Sequence, residues 1–100
     1  PKDSKEFKEG FDIIARVYPN NPVTELNAAT YDLENGENTQ AIEKLSKLNI
    51  PEAWNNLGVA YANLNDYKRA EEYFNRAANA GLESAKQNQT QLTQIYYTSY

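Results

Sequence analysis

The sequence predicts an all-α domain of about six helices that stack as antiparallel hairpins. Apolar residues recur every three or four positions along most of the chain, which is the spacing of one helix face. No stretch alternates apolar and polar residues for long enough to indicate a strand. Turns of two to four residues separate the helical segments, and connections this short place consecutive helices side by side in opposite directions.

The first predicted helix spans residues 3–18, and Asp3 or Ser4 can cap its start. Its apolar face consists of residues three or four positions apart: Phe7, Phe11, Ile14 and Tyr18. Pro19 and Pro22 follow this face and end the helix, because proline lacks an amide donor and disfavours helix in the residue before it. Pro22 also suits the first turn of the next helix.

The second helix is expected from about Val23 to the turn at Asn35 and Gly36, where Gly36 supplies a left-handed cap. The third is expected over residues 38–48, before Pro51 interrupts the pattern. Apolar or small residues form one stripe on each: Leu26, Ala29, Thr30 and Leu33, then Ala41, Ile42, Leu45 and Leu48.

The last three helices are expected over residues 51–64, 67–80 and 83–97, with turns at Asn65-Asp66 and Ala80-Gly81. The same spacing of apolar residues supports each helix. The residues that show it are Ala53, Trp54, Leu57, Ala60, Tyr61 and Leu64, then Tyr67, Ala70, Tyr73, Phe74 and Ala77, then Ala85, Leu92, Ile95 and Tyr96, with Asn88 at the same spacing. The final helix is the most polar of the six.

The residue types that are missing exclude several kinds of chemistry. The chain has 100 residues, the length of one domain, and contains no Cys, His or Met. It therefore has no disulfide, no thiolate nucleophile, no imidazole base and no sulfur or imidazole metal ligand. A net charge of −4 disfavours nucleic acid as a partner, and no apolar run approaches the roughly 20 residues that insert into a membrane. We expect no cofactor and no metal.

Carboxylates are the abundant group that could still act in catalysis. They form pairs by spacing: Glu71-Glu72, Glu34 with Glu37, and Glu6 with Glu9. General acid–base catalysis needs two carboxyl groups that converge in a cleft. These pairs lie on polar helix faces near Lys or Arg, which is typical of solvated surface. We predict a protein without catalytic residues, and a carboxylate-based enzyme is the remote alternative.

Two segments of the chain follow one plan, since residues 25–48 align with residues 54–77 at an offset of 29 positions. The second segment resembles the tetratricopeptide repeat (TPR), a unit of about 34 residues that forms two helices. The residues that carry the resemblance have the family's spacing: Trp54, Leu57, Gly58, Tyr61, Ala70, Phe74 and Ala77. Leu82 stands where the family usually has a proline.

The resemblance implies a right-handed stack of helical hairpins within a single domain over residues 1–100. In this interpretation residues 51–84 form the well-matched repeat and residues 22–50 a degenerate one. The helices over 3–18 and 85–97 then cap the two ends, because each repeat leaves an apolar face that a neighbour must cover. Gly58 lies where two helices cross, so a larger side chain there is expected to destabilise the fold.

The resemblance also implies a surface for a protein partner, because TPR arrays bind a peptide or a partner helix on a concave face. The corresponding residues in the good repeat and the last helix are Glu52, Asn55, Val59, Ala62, Asn63, Lys86, Gln89, Thr93, Tyr96 and Tyr97. In the degenerate repeat they are Val23, Leu26, Thr30, Leu33 and Glu34. The alternative is that these are ordinary exposed helix residues without a ligand.

Two functions therefore stay open at this point. The first is a non-enzymatic protein–protein interaction module that binds a peptide or helix on its concave face. The second is a structural or assembly segment of a larger protein, without a peptide ligand of its own. The chain has 13 Asn, and Tyr is its main aromatic residue, a composition that suits an AT-rich bacterial genome. The sequence leaves both the cytoplasm and the bacterial cell envelope open as the compartment.

Overall fold

The structure is a computed structural model that describes residues 22–98 and contains five helices there. They are α1 (Pro22–Glu34), α2 (Asn38–Leu45), α3 (Pro51–Asn63), α4 (Tyr67–Asn79) and α5 (Glu83–Thr98). No strand occurs between residues 22 and 98, so the prediction of an all-α chain is confirmed. The first predicted helix, over residues 3–18, lies outside the described residues. None of the five helices is both long and apolar enough to cross a membrane.

Each helix packs against the next one in the chain, which is the arrangement of stacked hairpins. The pairs α1–α2 and α3–α4 form the two hairpins, and α5 packs against α4. Further contacts join α1 to α3 and α3 to α5. The central helix α3 therefore contacts all four other helices, and it carries eight buried residues, more than any other described helix.

The turns of the two hairpins have the same hydrogen bonds. After α1, the amide of Glu37 donates to the carbonyl of Asp32 (2.8 Å) and the amide of Gly36 donates to that of Leu33 (3.1 Å). After α3, the amide of Asp66 donates to the carbonyl five residues earlier and the amide of Asn65 to the carbonyl three residues earlier, as in the first turn. This double pattern needs a left-handed residue, and Gly36 (φ +77°) and Asn65 (φ +66°) supply it.

The third predicted helix is shorter in the structure than expected. It ends at Leu45 rather than at Leu48. The amides of Lys47 and Leu48 donate three residues back, to Lys44 (3.4 Å) and Leu45 (3.0 Å), so the chain tightens into a turn. Leu48 lies past the helix end but is still half-buried against the core. Its apolar character therefore made the helical pattern in the sequence longer than the helix.

The core of the α3–α4 hairpin is built around a close contact between Gly58 and Phe74. Both residues are buried, and a Cβ atom placed on Gly58 would lie 2.4 Å from the Phe74 ring. The absence of a side chain at Gly58 therefore makes room for the largest fully buried side chain of the described core.

Beside the core, a further pair of side chains joins the two helices of each hairpin, and the two hairpins use different residue types for it. In α3–α4 the rings of Tyr61 and Tyr73 stack, with centroids 5.8 Å apart and planes 4° from parallel. In α1–α2 the ammonium group of Lys44 donates to the carboxylate of Asp32 and forms an ion pair. This hydrogen bond raises the pKa of Lys44 above its ordinary value of 10.5.

Candidate functional site

Three of the α3 residues expected to contact a partner lie inside the protein. The side chains of Asn55 and Val59 are 0% exposed and that of Ala62 is 1% exposed. In the degenerate repeat, Leu26 and Leu33 are also 0% exposed. The concave face predicted from the family pattern was expected to be open, and at these residues the structure leaves no surface that a partner could reach.

The reason is that α3 is buried around its circumference. Every residue from Asn55 to Ala60 is buried. Successive residues of a helix are rotated by about 100°, so a run of six covers every direction around the axis. Family position identifies the side of α3 on which Asn55 and Val59 lie, but it does not show whether that side is covered.

A chain of hydrogen bonds connects the polar side chains buried around α3. Nδ2 of Asn88 on α5 donates to Oδ1 of Asn55 (2.9 Å), and Nδ2 of Asn55 donates to Oδ1 of Asn56 (3.5 Å). Nδ2 of Asn56 then donates to Oγ1 of Thr30 on α1 (3.4 Å), whose hydroxyl donates to the carbonyl of Leu26 (2.9 Å). The chain links α5, α3 and α1.

Sequence reasoning did not identify this network. It treated Asn55 as a surface residue and did not single out Asn56. A signal was present, because two adjacent Asn residues lie inside a segment that is otherwise rich in Ala, Leu and Val, and Asn is unfavourable in helix interiors. Such residues are tolerated in a core when their amides are hydrogen-bonded.

Three other expected residues meet in a pocket between α4 and α5. Gln89, Thr93 and Tyr96 line it from α5. Buried Phe74 and Leu92 also line the pocket, which has a volume of about 220 Å³. The remaining lining residues are Glu71 and Asn75 of α4 and Thr90 of α5. Nε2 of Gln89 donates to Oδ1 of Asn75 (2.7 Å) and so connects the two walls.

The remaining expected residues lie elsewhere. Glu52 and Asn63 are half-buried on α3, and Lys86 is exposed on α5, 3.9 Å from the carboxylate of Glu83. Nδ2 of Asn63 donates to Oδ1 of Asn38 (3.0 Å). Its own Oδ1 is one of two buried side-chain oxygens without a hydrogen-bond partner among the residues described. The side chain of Tyr97 lies outside the described part of the structure.

Comparison with known proteins supports the family suggested by the sequence. Residues 51–78 match the family model described as Tetratricopeptide repeat. The match covers all of α3 and nearly all of α4, and the resemblance is confirmed over this stretch. No curated protein and no solved structure matches the chain.

Proposed function

Because residues 51–78 form a tetratricopeptide repeat, we propose that the protein is a non-catalytic interaction module that binds a segment of a partner protein. The observation that carries this proposal is the pocket between α4 and α5. Gln89, Thr93 and Tyr96, which the family pattern assigns to a partner-binding face, all line this pocket.

The pocket suits one apolar side chain of the partner. The ring of half-buried Tyr96 and the methyl groups of exposed Thr90 and Thr93 provide its accessible apolar surface, over a floor formed by buried Phe74 and Leu92. Burying a Leu-sized or Phe-sized side chain contributes about 1.5–3 kcal/mol, which is enough for one anchor of a peptide interface. Around it, the amides of Gln89 and Asn75 offer donors and acceptors to a peptide backbone.

The proposed contact surface also includes residues of α5 and α3 outside this pocket. Lys86 and Tyr97 lie on α5, before and after the pocket residues, and Glu52 and Asn63 lie on α3. Asn55, Val59 and Ala62 are left out, since they are buried.

Selection from a displayed library of random peptides, followed by affinity measurement, tests this proposal. Peptides that bind the wild-type protein are expected to lose about tenfold or more in affinity for Thr93→Trp, whose indole would fill the pocket. Thr93 is exposed, so the larger side chain is compatible with the fold. Gln87→Trp is the matched control, because Gln87 is exposed on the same helix and does not line the pocket.

Equal affinity of the selected peptides for the wild type and Thr93→Trp would remove the pocket from the proposal. Failure to enrich any peptide would favour the structural or assembly role over the interaction module.

A further inference from the structure

A second pocket lies where the turn after α2 meets α3 and α4. Its volume is about 250 Å³. The residues that line it are Ser46, Lys47, Leu48, Asn49, Trp54, Leu57, Tyr73 and Arg76. None of these residues belongs to the surface proposed above for the partner segment.

Aromatic rings hold the guanidinium group of Arg76 at this pocket. Its Cζ lies over the Trp54 ring, 4.5 Å from the centroid, and 5.6 Å from the centroid of Tyr73. Tyr73 in turn stacks on Tyr61. A guanidinium over a ring face keeps the N–H groups at its edge available for hydrogen bonds, and the rings reduce the entropy lost when those bonds form.

The charged and polar groups around Arg76 favour an anion. Lys47 adds a second cation, while the Ser46 hydroxyl and the Asn49 amide add donors. Among the described residues that line the pocket there is no carboxylate. The ion pairs between described residues involve Lys44, Arg69 and Lys86 as the cations, so Arg76 and Lys47 are not neutralised by any of these pairs.

Three backbone amides of the turn at this pocket are already hydrogen-bonded within the protein. The amides of Ser46, Lys47 and Leu48 already donate to the carbonyls of Ile42, Lys44 and Leu45. A carboxylate offers two oxygens and one charge, whereas a phosphoryl group offers three acceptor oxygens and a charge of about −1.5 to −2. Two cations with two further donors match the phosphoryl group better.

We propose that this pocket binds a phosphoryl group carried by a phosphorylated partner peptide, with Arg76 and Lys47 as its cationic contacts. The inference concerns a site separate from the α4–α5 pocket. It takes from the proposed function only the expectation that the partner is a protein. Binding of phosphate alone does not depend on that expectation, so the two proposals can fail separately.

Trp54 makes a direct test possible, because it is the single tryptophan of the chain and forms part of the pocket wall. The probe is inorganic phosphate, titrated at constant ionic strength while Trp54 fluorescence is recorded. A saturable change is expected, with binding of acetate weaker by about tenfold or more. Amide chemical shifts of Ser46, Lys47 and Asn49 provide a second measurement that does not depend on the indole.

Variants of two arginines distinguish phosphate binding at this pocket from general attraction of phosphate to positive charge on the protein. Arg76→Gln is expected to weaken phosphate binding by about tenfold or more, since charge-assisted bonds are the strong ones. Arg69→Gln is the control, because Arg69 also lies over a ring, 5.5 Å from the centroid of Tyr61, but does not line the pocket. It is expected to bind phosphate as the wild type does.

Three results would overturn the inference. The first is a fluorescence and chemical-shift titration that does not saturate. The second is equal weakening by Arg76→Gln and Arg69→Gln. The third is acetate binding as tight as phosphate binding, which would assign the pocket to a carboxylate instead. Urea denaturation of each variant establishes that a loss of binding does not come from a loss of folding.

Discussion

At an offset of 29 residues, the α1–α2 hairpin has Ala29 and Leu45 where the α3–α4 hairpin has Gly58 and Phe74. All four residues are buried, and the first hairpin therefore divides its core volume more evenly between its two helices. The turn is the same in both hairpins, because Gly36 in the first and Asn65 in the second adopt the left-handed conformation.

The same offset places Asp32 and Lys44 of the first hairpin at the positions of Tyr61 and Tyr73 in the second. One hairpin joins its helices there by an ion pair and the other by stacked rings. The comparison teaches that the two hairpins keep the turn and the buried positions, including a small–large core pair. The pair beside the core is free to vary, and in the second hairpin it supports the proposed phosphoryl pocket.

The largest expected effect comes from filling the space at Gly58. Gly58→Leu should destabilise the protein by about 3 kcal/mol through overpacking against Phe74. Gly58→Ala should cost less, because the better helix propensity of Ala returns roughly 1 kcal/mol. Urea denaturation measures both values, and an unchanged unfolding midpoint for Gly58→Leu would contradict the role given to this glycine.

A double variant sharpens the comparison by giving the second hairpin the core pair of the first. Gly58→Ala combined with Phe74→Leu reproduces the pair formed by Ala29 and Leu45. The double variant should be more stable than the sum of the single effects by about 1 kcal/mol or more, since the smaller side chain admits the new methyl group. Strict additivity would show that the two residues do not share one space.

A smaller effect is expected at the turn. A Cβ on Gly36 meets no atom within 4 Å, so any cost of Gly36→Ala comes from its positive φ alone. We expect a loss of about 1 kcal/mol for Gly36→Ala. Gly36→Asn should cost only a fraction of that, because Asn65 holds the equivalent turn. Thermal unfolding of the two variants checks the order, and equal losses would contradict it.

The smallest effect concerns the ion pair of the first hairpin at alkaline pH. Because the pKa of Lys44 is raised above 10.5 in the folded protein, the pair contributes stability that is fully present below that pH. This stability is lost as the pH rises through the folded pKa. Between about pH 9 and 12, the wild type should therefore lose more stability than Asp32→Asn, as measured by urea denaturation across the range.

The difference between variants isolates the pair, because the wild type and Asp32→Asn have the same tyrosines. Asp66→Asn is the control in the second hairpin, since it removes an ion pair to an arginine instead of one to a lysine. The alkaline profile of Asp66→Asn should follow the wild type. Parallel profiles for the wild type and Asp32→Asn would contradict the assignment to Lys44.

Much of the fold could be predicted from the sequence, because helix spacing and turn residues are local signals. The left-handed cap at Gly36 and the starts of α3 and α4 followed from short stretches of chain. The predicted end of α2 was wrong. Leu48 continues the apolar spacing of the helix, but it lies in the turn after α2 and packs against the core from there. Local signals therefore locate helices better than they locate helix ends.

The candidate site was less predictable, because it depends on what covers each face. The family pattern predicted that both Asn55 and Gln89 contact a partner, yet Asn55 is buried and Gln89 lines a pocket. The bond between Asn55 and Asn88 joins residues 33 positions apart, and no periodicity indicates such a pairing. Asn56 was missed for the same reason, since its partner Thr30 lies on another hairpin.

The amide chain through α5, α3 and α1 has a consequence for the rotation of these helices against one another. All of its donors point the same way, from Asn88 through Asn55 and Asn56 to Thr30. Apolar contacts tolerate sliding because they have no direction, whereas hydrogen bonds weaken steeply when bent. The hydrogen bonds that join α5, α3 and α1 therefore resist rotation of these helices against one another more than apolar contacts alone would.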